Sequence, residues 1–261
     1  MFRHSHWGLK STSCSKLFLA CAVGLAGTTY SSSCHGQTAV GETAATAPKP
    51  EGNDKVLRHA VFFKFKPTAT REDIDRVVEA FRALPAKIKE IREFQSGENI
   101  SRFERDDRFT HCFLLTFADE AGRAAYLPHP DHKAFGSALG PHLAGVFVID
   151  YWGQPHSAKL EKELKHAVFL KFKESASPDE VRAVESGLAG LPAKIDAIKA
   201  FEWGTNNSPE THDQGFTHCF MFTFESEEGL KEYGDHPAHR EVAGELVPKM
   251  EKIRVIDFWA E

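Results

Sequence analysis

The chain repeats itself. Residues His59 to Trp152 align with His166 to Trp259 at a constant offset of 107 with no gap, and about 39 of the 94 aligned positions are identical. HAVFFKFK answers HAVFLKFK, LPAKI and FTHCF recur unchanged, and VIDYW answers VIDFW. A period of this length is that of a domain and not of a solenoid repeat. The sequence therefore predicts two homologous domains in tandem, each burying the same apolar pattern.

One unit reads as a β-α-β-β-α-β order. Leu57 to Lys66 is rich in Val, Phe and Ala, with charge only toward its end, and predicts a buried strand. Thr70, followed by Glu72 and Asp73, predicts a helix start, because a hydroxyl cap and an acidic first turn suit the positive end of a helix. Ile91–Gly97 predicts a second strand, 98–108 a polar loop, and Phe109–Phe117 a third strand. Asp119–Tyr126 predicts a short helix, Pro130 opens another, and Val146–Trp152 closes the unit as a strand. The predicted fold class is α+β: two ferredoxin-like domains with helices on one face of each sheet.

The third strand is apolar on both sides. Alternation places Phe109, His111, Phe113, Leu115 and Phe117 on one face, with Cys112 and Leu114 on the other. Helices cover one face only, and a strand greasy on both faces has to be covered on both. The second repeat is the expected cover, giving two sheets packed face to face as a closed or nearly closed α/β barrel. The linker at 154–164 lies in the run QPHSAKLEKELK, residues 154–165, whose KLEKELK is expected to be a solvated helical linker. About 12 extended residues reach roughly 40 Å, enough to join the two.

Residues 1–36 read as a removable export signal: Arg3, Lys10 and Lys16 precede the apolar run Leu17 to Gly27. That run is shorter than the about 20 residues that span a bilayer, so no stable membrane span is expected. Periplasmic or extracellular localisation follows, with lipid anchoring through Cys34 as a lesser alternative. Residues 37–56, rich in Ala, Thr, Gly and Pro, read as a disordered spacer. Loss of the signal's three cations takes the formal charge from −5 to −8, which discourages nucleic-acid binding. Cys112 and Cys219, at matched positions inside strands, are expected to be small buried hydrophobes and not a disulfide framework.

Several motifs recur in both units. Gly97, Asn99 and Ser101 match Gly204, Asn206 and Ser208; Phe109 to His111 match Phe216 to His218; Tyr126 to His132 match Tyr233 to His239, both with Tyr, His-Pro and a further His; Asp150 and Trp152 match Asp257 and Trp259. With the opening His59 and His166, these resemble the signatures of the stress-response dimeric α/β-barrel (Dabb) family. The resemblance covers domains at 57–153 and 165–261. It implies that one repeat serves as the intramolecular partner of the other, in place of a second chain.

The histidines carry the functional candidates. His59, His111, His166 and His218 are expected ligand-binding residues, with His59 and His111 sharing one pocket if both face the helices. His129 directly before Pro130 is expected to cap a helix, and Asp150 and Asp257 to anchor the sheet end. His132, in a helix's first turn, is expected neutral and able to accept a proton, beside the phenol of Tyr126. The resemblance extends to plant polyketide cyclases of this fold, whose Tyr and His match Tyr126 with His132 and Tyr233 with His239. These four are the candidate catalytic residues, and catalysis would require an open pocket reaching them. Hydrolase, metalloprotease, phosphate-loop and dinucleotide motifs are lacking, and a metal site of His129 and His132 with His111 and His59 has no carboxylate or thiolate clearly joining it, so neither metal nor cofactor is expected. The leading expectation is a non-catalytic stress-response barrel protein, or one that binds a small hydrophobic ligand. A cyclase-like enzyme and an oligomerising structural module are the alternatives.

Overall fold

The computed structural model describes residues 55–102, 106–155 and 160–261. The expected export signal, Cys34 and most of the expected spacer lie outside them. Within the first repeat the order is β1 (Val56–Phe65), α1 (Arg71–Arg82), a 3₁₀ turn (Leu84–Ala86), β2 (Glu93–Glu98), β3 (His111–Phe117), α2 (Glu120–Tyr126), α3 (Pro130–Leu139) and β4 (Leu143–Gly153). The second repeats it as β5 (Glu163–Phe172), α4 (Pro178–Ala189), a 3₁₀ turn (Leu191–Ala193), β6 (Ala200–Thr205), β7 (His218–Phe224), α5 (Glu227–Asp235), α6 (Pro237–Leu246) and β8 (Met250–Ala260). Each unit is an antiparallel four-stranded sheet, ordered β2-β3-β1-β4 and β6-β7-β5-β8. That is the ferredoxin-like arrangement.

Local chemistry sets the helix starts. Thr70 Oγ1 accepts from the Asp73 N–H while the Asp73 carboxylate accepts from the Thr70 N–H, each at 3.1 Å. Ser177 and Glu180 form the same reciprocal cap on α4. The capped helices bury Val77 and Phe81, or Val184 and Leu188, against their own sheets.

Three apolar layers result. One lies between the first sheet and its helices, around Phe63, Phe81, Phe113 and Phe135. Another, around Leu170, Leu188, Phe220 and Val242, occupies the same place in the second repeat. Between the two sheets lies a layer drawn from both repeats, with Phe62, Leu114, Phe147 and Tyr151 meeting Phe169, Met221, Ile256 and Phe258. Cys112 and Cys219 are buried there as free thiols. The faces left uncovered by helices shelter one another.

The sheets stay two separate ladders, so the barrel is not closed. Their edges are tied at a few points: Ser96 and Glu261 exchange backbone hydrogen bonds of 3.0 and 3.1 Å, Ile100 N–H donates to Asp257 O, and Asn207 N–H donates to Asp150 O. Charges seal one end of the inter-sheet layer. Arg58, 1% exposed, donates through Nε to both Glu202 oxygens at 3.1 and 3.2 Å, and Tyr151 Oη donates to Glu202 at 2.8 Å. Nearby, Lys165 pairs with Glu163 at 3.0 Å, and Gln95 Nε2 donates to Glu163 at 2.8 Å.

Two expectations are corrected. The described part of KLEKELK, residues 160–165, is not helical: Glu163 opens β5, and Glu163, Leu164 and Lys165 are buried in the strand. Alternating charge on a short run suits an exposed helix, but here the charges find partners inside the layer. Phe109 does not share the face of His111 and Phe113. β3 starts only at His111, after positive φ at Asp107 (49°) and Arg108 (62°), and this kinked approach sends Phe109 into the inter-sheet layer. Its counterpart Phe216 does the same.

Candidate functional site

The closing strand, the middle strand and the helix break converge at one end of each sheet. In the first repeat β1 and β4 pair His59 with Asp150, and His59 Nδ1 lies 2.6 Å from Asp150 Oδ1. Arg123, from α2, donates through Nη1 to Asp150 Oδ2 at 2.7 Å. The same nitrogen reaches the carbonyl of Asn207 at 3.1 Å and its Oδ1 at 2.8 Å. Asn207 belongs to the second repeat, as does Glu210, whose Oε2 lies 3.9 Å from His59 Nε2. The Arg123 cation and the His59 imidazole thus share one buried carboxylate, and residues of the other repeat close the arrangement.

Tyr126 and His132 stand beside this cluster. Their rings lie 4.2 Å apart, and Tyr126 meets His59 edge-on at 5.7 Å. His132 Nδ1 lies 3.0 Å from the Leu127 carbonyl, so Nδ1 carries the proton and Nε2 holds the lone pair. Burial pushes the His132 pKa down, against the pull of that carbonyl. Burial is the largest cause of that lowering, and the neighbouring His59 adds to it. Burial together with the charge of Glu210 raises the Tyr126 pKa far above a free phenol. Tyr126 is fully buried, and its hydroxyl has no hydrogen-bond partner among the described residues; the same is true of Glu210 Oε2.

The second repeat keeps half of this. His166 Nδ1 lies 2.6 Å from Asp257 Oδ1, Tyr233 stacks on His239 at 4.3 Å, and His239 Nδ1 lies 3.2 Å from the Gly234 carbonyl. The position of Arg123 holds Leu230, that of Asn207 holds Ile100, and that of Glu210 holds Phe103, which is outside the described residues. Only the first repeat therefore has the charged frame.

His111 is not brought to His59. Register pairs His111 with Phe63 and His59 with Leu115, so the two lie four residues apart along the sheet. His111 Nδ1 is 2.9 Å from Thr110 Oγ1, and the ring borders a cavity of about 160 Å³ that Val78, Arg82, Ser96 and Glu98 also line. His218 makes the matching contact with Thr217 at 2.8 Å, and its Nε2 lies 3.1 Å from Glu185. Trp203, in the place of Ser96, stacks on Phe220 there. A phenylalanine cluster separates the two ends of the first repeat: Phe81 stacks on Phe135 at 4.5 Å and on Phe63 at 5.7 Å. His129 and His236 do cap their helices, each Nδ1 accepting a backbone N–H at 3.2 Å. Asp150 and Asp257 anchor the sheet end through the histidines.

Arg123, Asn207 and Glu210 were not among the residues singled out from the sequence. Their signal was present: each is a polar residue where the otherwise matching repeat carries an apolar one.

The His59–Asp150 pair makes stability depend on pH. Burial opposes protonation of His59, but the Asp150 carboxylate overrides it, and the His59 pKa is raised. A raised folded-state pKa stabilises fully below the unfolded value of about 6.5 and is lost as pH rises through the folded value. The stability advantage of wild type over His59→Gln is therefore expected to shrink above about pH 6.5. Urea midpoints of both proteins between about pH 5.5 and 8.5 measure it; a constant difference would contradict a raised pKa.

Two ferredoxin-like halves in one chain, packed sheet to sheet with a Tyr–His pair at each helix break, define a tandem α/β-barrel protein. The family model for the stress responsive A/B barrel domain matches residues 57–153 and 164–260, and the chain belongs to that family. The stress-response A/B barrel domain-containing protein HS1 of Arabidopsis thaliana is 41% identical over 95 residues, 36% of this chain and 87% of that protein. Olivetolic acid cyclase of Cannabis sativa is 30% identical over 95 residues, 36% of this chain and 94% of that protein. An anthrone oxidase-like protein of known structure superposes with a TM-score of 0.59 over 81% of this chain and 92% of its own, at 10% identity, a likeness of fold alone.

Proposed function

We propose that this chain is an exported, non-catalytic member of the family that binds a small ligand in its first repeat. One observation carries the reading: the Tyr126 hydroxyl and Glu210 Oε2 are both buried without partners beside the same histidines. An unmatched buried polar atom costs about 1–3 kcal/mol. A ligand offering a carbonyl to the phenol and a hydroxyl to the carboxylate would remove both costs. The ligand is small and mostly apolar, because the phenylalanine cluster occupies the space beyond it. The second repeat, with Leu230 in place of Arg123, acts as the scaffold that delivers Asn207 and Glu210. The export signal of residues 1–36 supports work outside the cytoplasm.

A second reading, proton-transfer catalysis, is favoured by the neutral His132 with its free Nε2 beside Tyr126. It also has the similarity to olivetolic acid cyclase behind it. Both phenols are sealed from solvent, Tyr126 wholly and Tyr233 with 3% exposed, which favours binding over turnover.

Mass spectrometry of small molecules retained by the purified mature chain tests both. Under the binding reading, Tyr126→Phe and His132→Ala are each expected to release the ligand, while Tyr233→Phe retains it. Retention unchanged in the first two variants would overturn the reading. Accumulation in His132→Ala of a different, unreacted compound would establish catalysis instead.

A further inference from the structure

We propose that the cleft at the Arg254 end of the inter-sheet layer, far along the sheets from Tyr126, is a binding site for a small organic carboxylate. The cleft encloses about 910 Å³ and is walled by both repeats. Among the described residues four cations line it, Lys64, Arg102, Arg108 and Arg254, against the two carboxylates Asp106 and Asp107. That local excess of positive charge sits on a chain whose formal charge is −5.

Arg254 is the centre of the site. It is 2% exposed, and its guanidinium lies over the rings of Phe147, Phe216 and Phe109 at 4.3, 4.7 and 4.8 Å. Aromatic faces hold a cation without using its hydrogens, so the in-plane donors stay available. One edge is satisfied: Nε and Nη2 donate to Asp107, and Nη2 also to Gln214 Oε1 at 2.9 Å. The remaining nitrogen, Nη1, is buried and has no partner among the described residues. The hydroxyl of Ser101, lining the same cleft, is also buried and unmatched.

Two unmatched donors at one net-positive cleft call for an oxyanion. Among oxyanions, a carboxylate fits the planar guanidinium edge. Phe109, Ala144 and Gly145 in the cleft wall offer an apolar contact for its organic remainder. The grip on Arg254 is itself built: both of the residues that hold its satisfied edge, Asp107 and Gln214, adopt positive φ, at 49° and 53°. Such backbone geometry costs free energy and persists where surrounding contacts impose it. Position 254 corresponds to Phe147 in the first repeat, so the described residues hold one such cation seat and not two.

Calorimetric titration of the mature chain with benzoate and with inorganic phosphate, at constant ionic strength, tests the site. Benzoate is expected to bind once per chain. Arg254→Phe, which places at 254 the residue native to 147, is expected to weaken it about tenfold or more, the loss typical of a charge-assisted hydrogen bond. Ser101→Ala is expected to weaken it several-fold. Should Arg254→Phe fail to fold, Ser101→Ala decides, since no hydrogen bond among the described residues depends on its hydroxyl. No benzoate binding by the wild type, or binding unchanged in the variants, overturns the proposal. Phosphate binding as tight as benzoate overturns the assignment to a carboxylate.

Discussion

Replacing Arg58 by alanine is expected to cost the protein about 3–5 kcal/mol of stability, read from urea unfolding. The guanidinium is 1% exposed and meets Glu202 of the other repeat, which also accepts from Tyr151. Removing the cation strands a buried carboxylate whose charge the low-dielectric layer cannot screen, and breaking such a pair from one side is far costlier than removing both ends. Arg58→Met combined with Glu202→Leu is accordingly expected to recover most of the loss. If the single and double variants were equally unstable, the pair would not be the cause. The test also bears on the architecture, because Arg58 and Glu202 are 144 residues apart and belong to different repeats.

The second large effect is expected from a single methyl group. Gly97 on β2 faces β8, and a Cβ built there would fall 2.1 Å from the Trp259 carbonyl oxygen and 3.1 Å from Phe258. Backbone cannot rotate away as a side-chain tip can, so Gly97→Ala has to push the sheet edges apart. Overpacking typically costs about 1–3 kcal/mol and more where nothing yields; about 3 kcal/mol or above is expected here, again from urea unfolding. The equivalent Gly204→Ala meets Tyr151 Cβ at 2.9 Å and is expected to be milder. Equal, small costs at both positions would mean that the seam between β2 and β8 is looser than its backbone hydrogen bonds imply.

These two variants probe what a repeat-by-repeat reading misses. Thr70 with Asp73, His129 before Pro130, and the apolar alternation of β3 all act within a few residues, through hydrogen bonds and pleat geometry. They were legible for that reason. The kink before His111 was not, because only part of it is a local turn, in which Asp106 Oδ1 accepts from the Arg108 N–H; Asp107 is held by Arg254 of the other repeat. KLEKELK misled for a related reason: a charged run looks solvated until the partners that bury Glu163 and Lys165 are known.

The candidate site divides in the same way. Tyr126, His132 and His59 stood out by motif, and their mutual contact follows from pairing inside one unit. His111 also stood out, yet register alone put it at the opposite end of the sheet. Glu210 and Asn207 reach the first repeat only because the second lies against it.

The amino-acid order alone thus determined the two-domain repeat, the class of each domain and the need of each sheet for a cover, since periodicity and hydrophobicity are properties of neighbouring residues. The open seam between the sheets, the charge pairs that lock one repeat to the other, and the restriction of the charged frame to one of two similar sites were decided by the tertiary structure. Those features depend on which distant groups meet in a medium of low dielectric, where an unmatched charge or a single extra methyl outweighs any local preference.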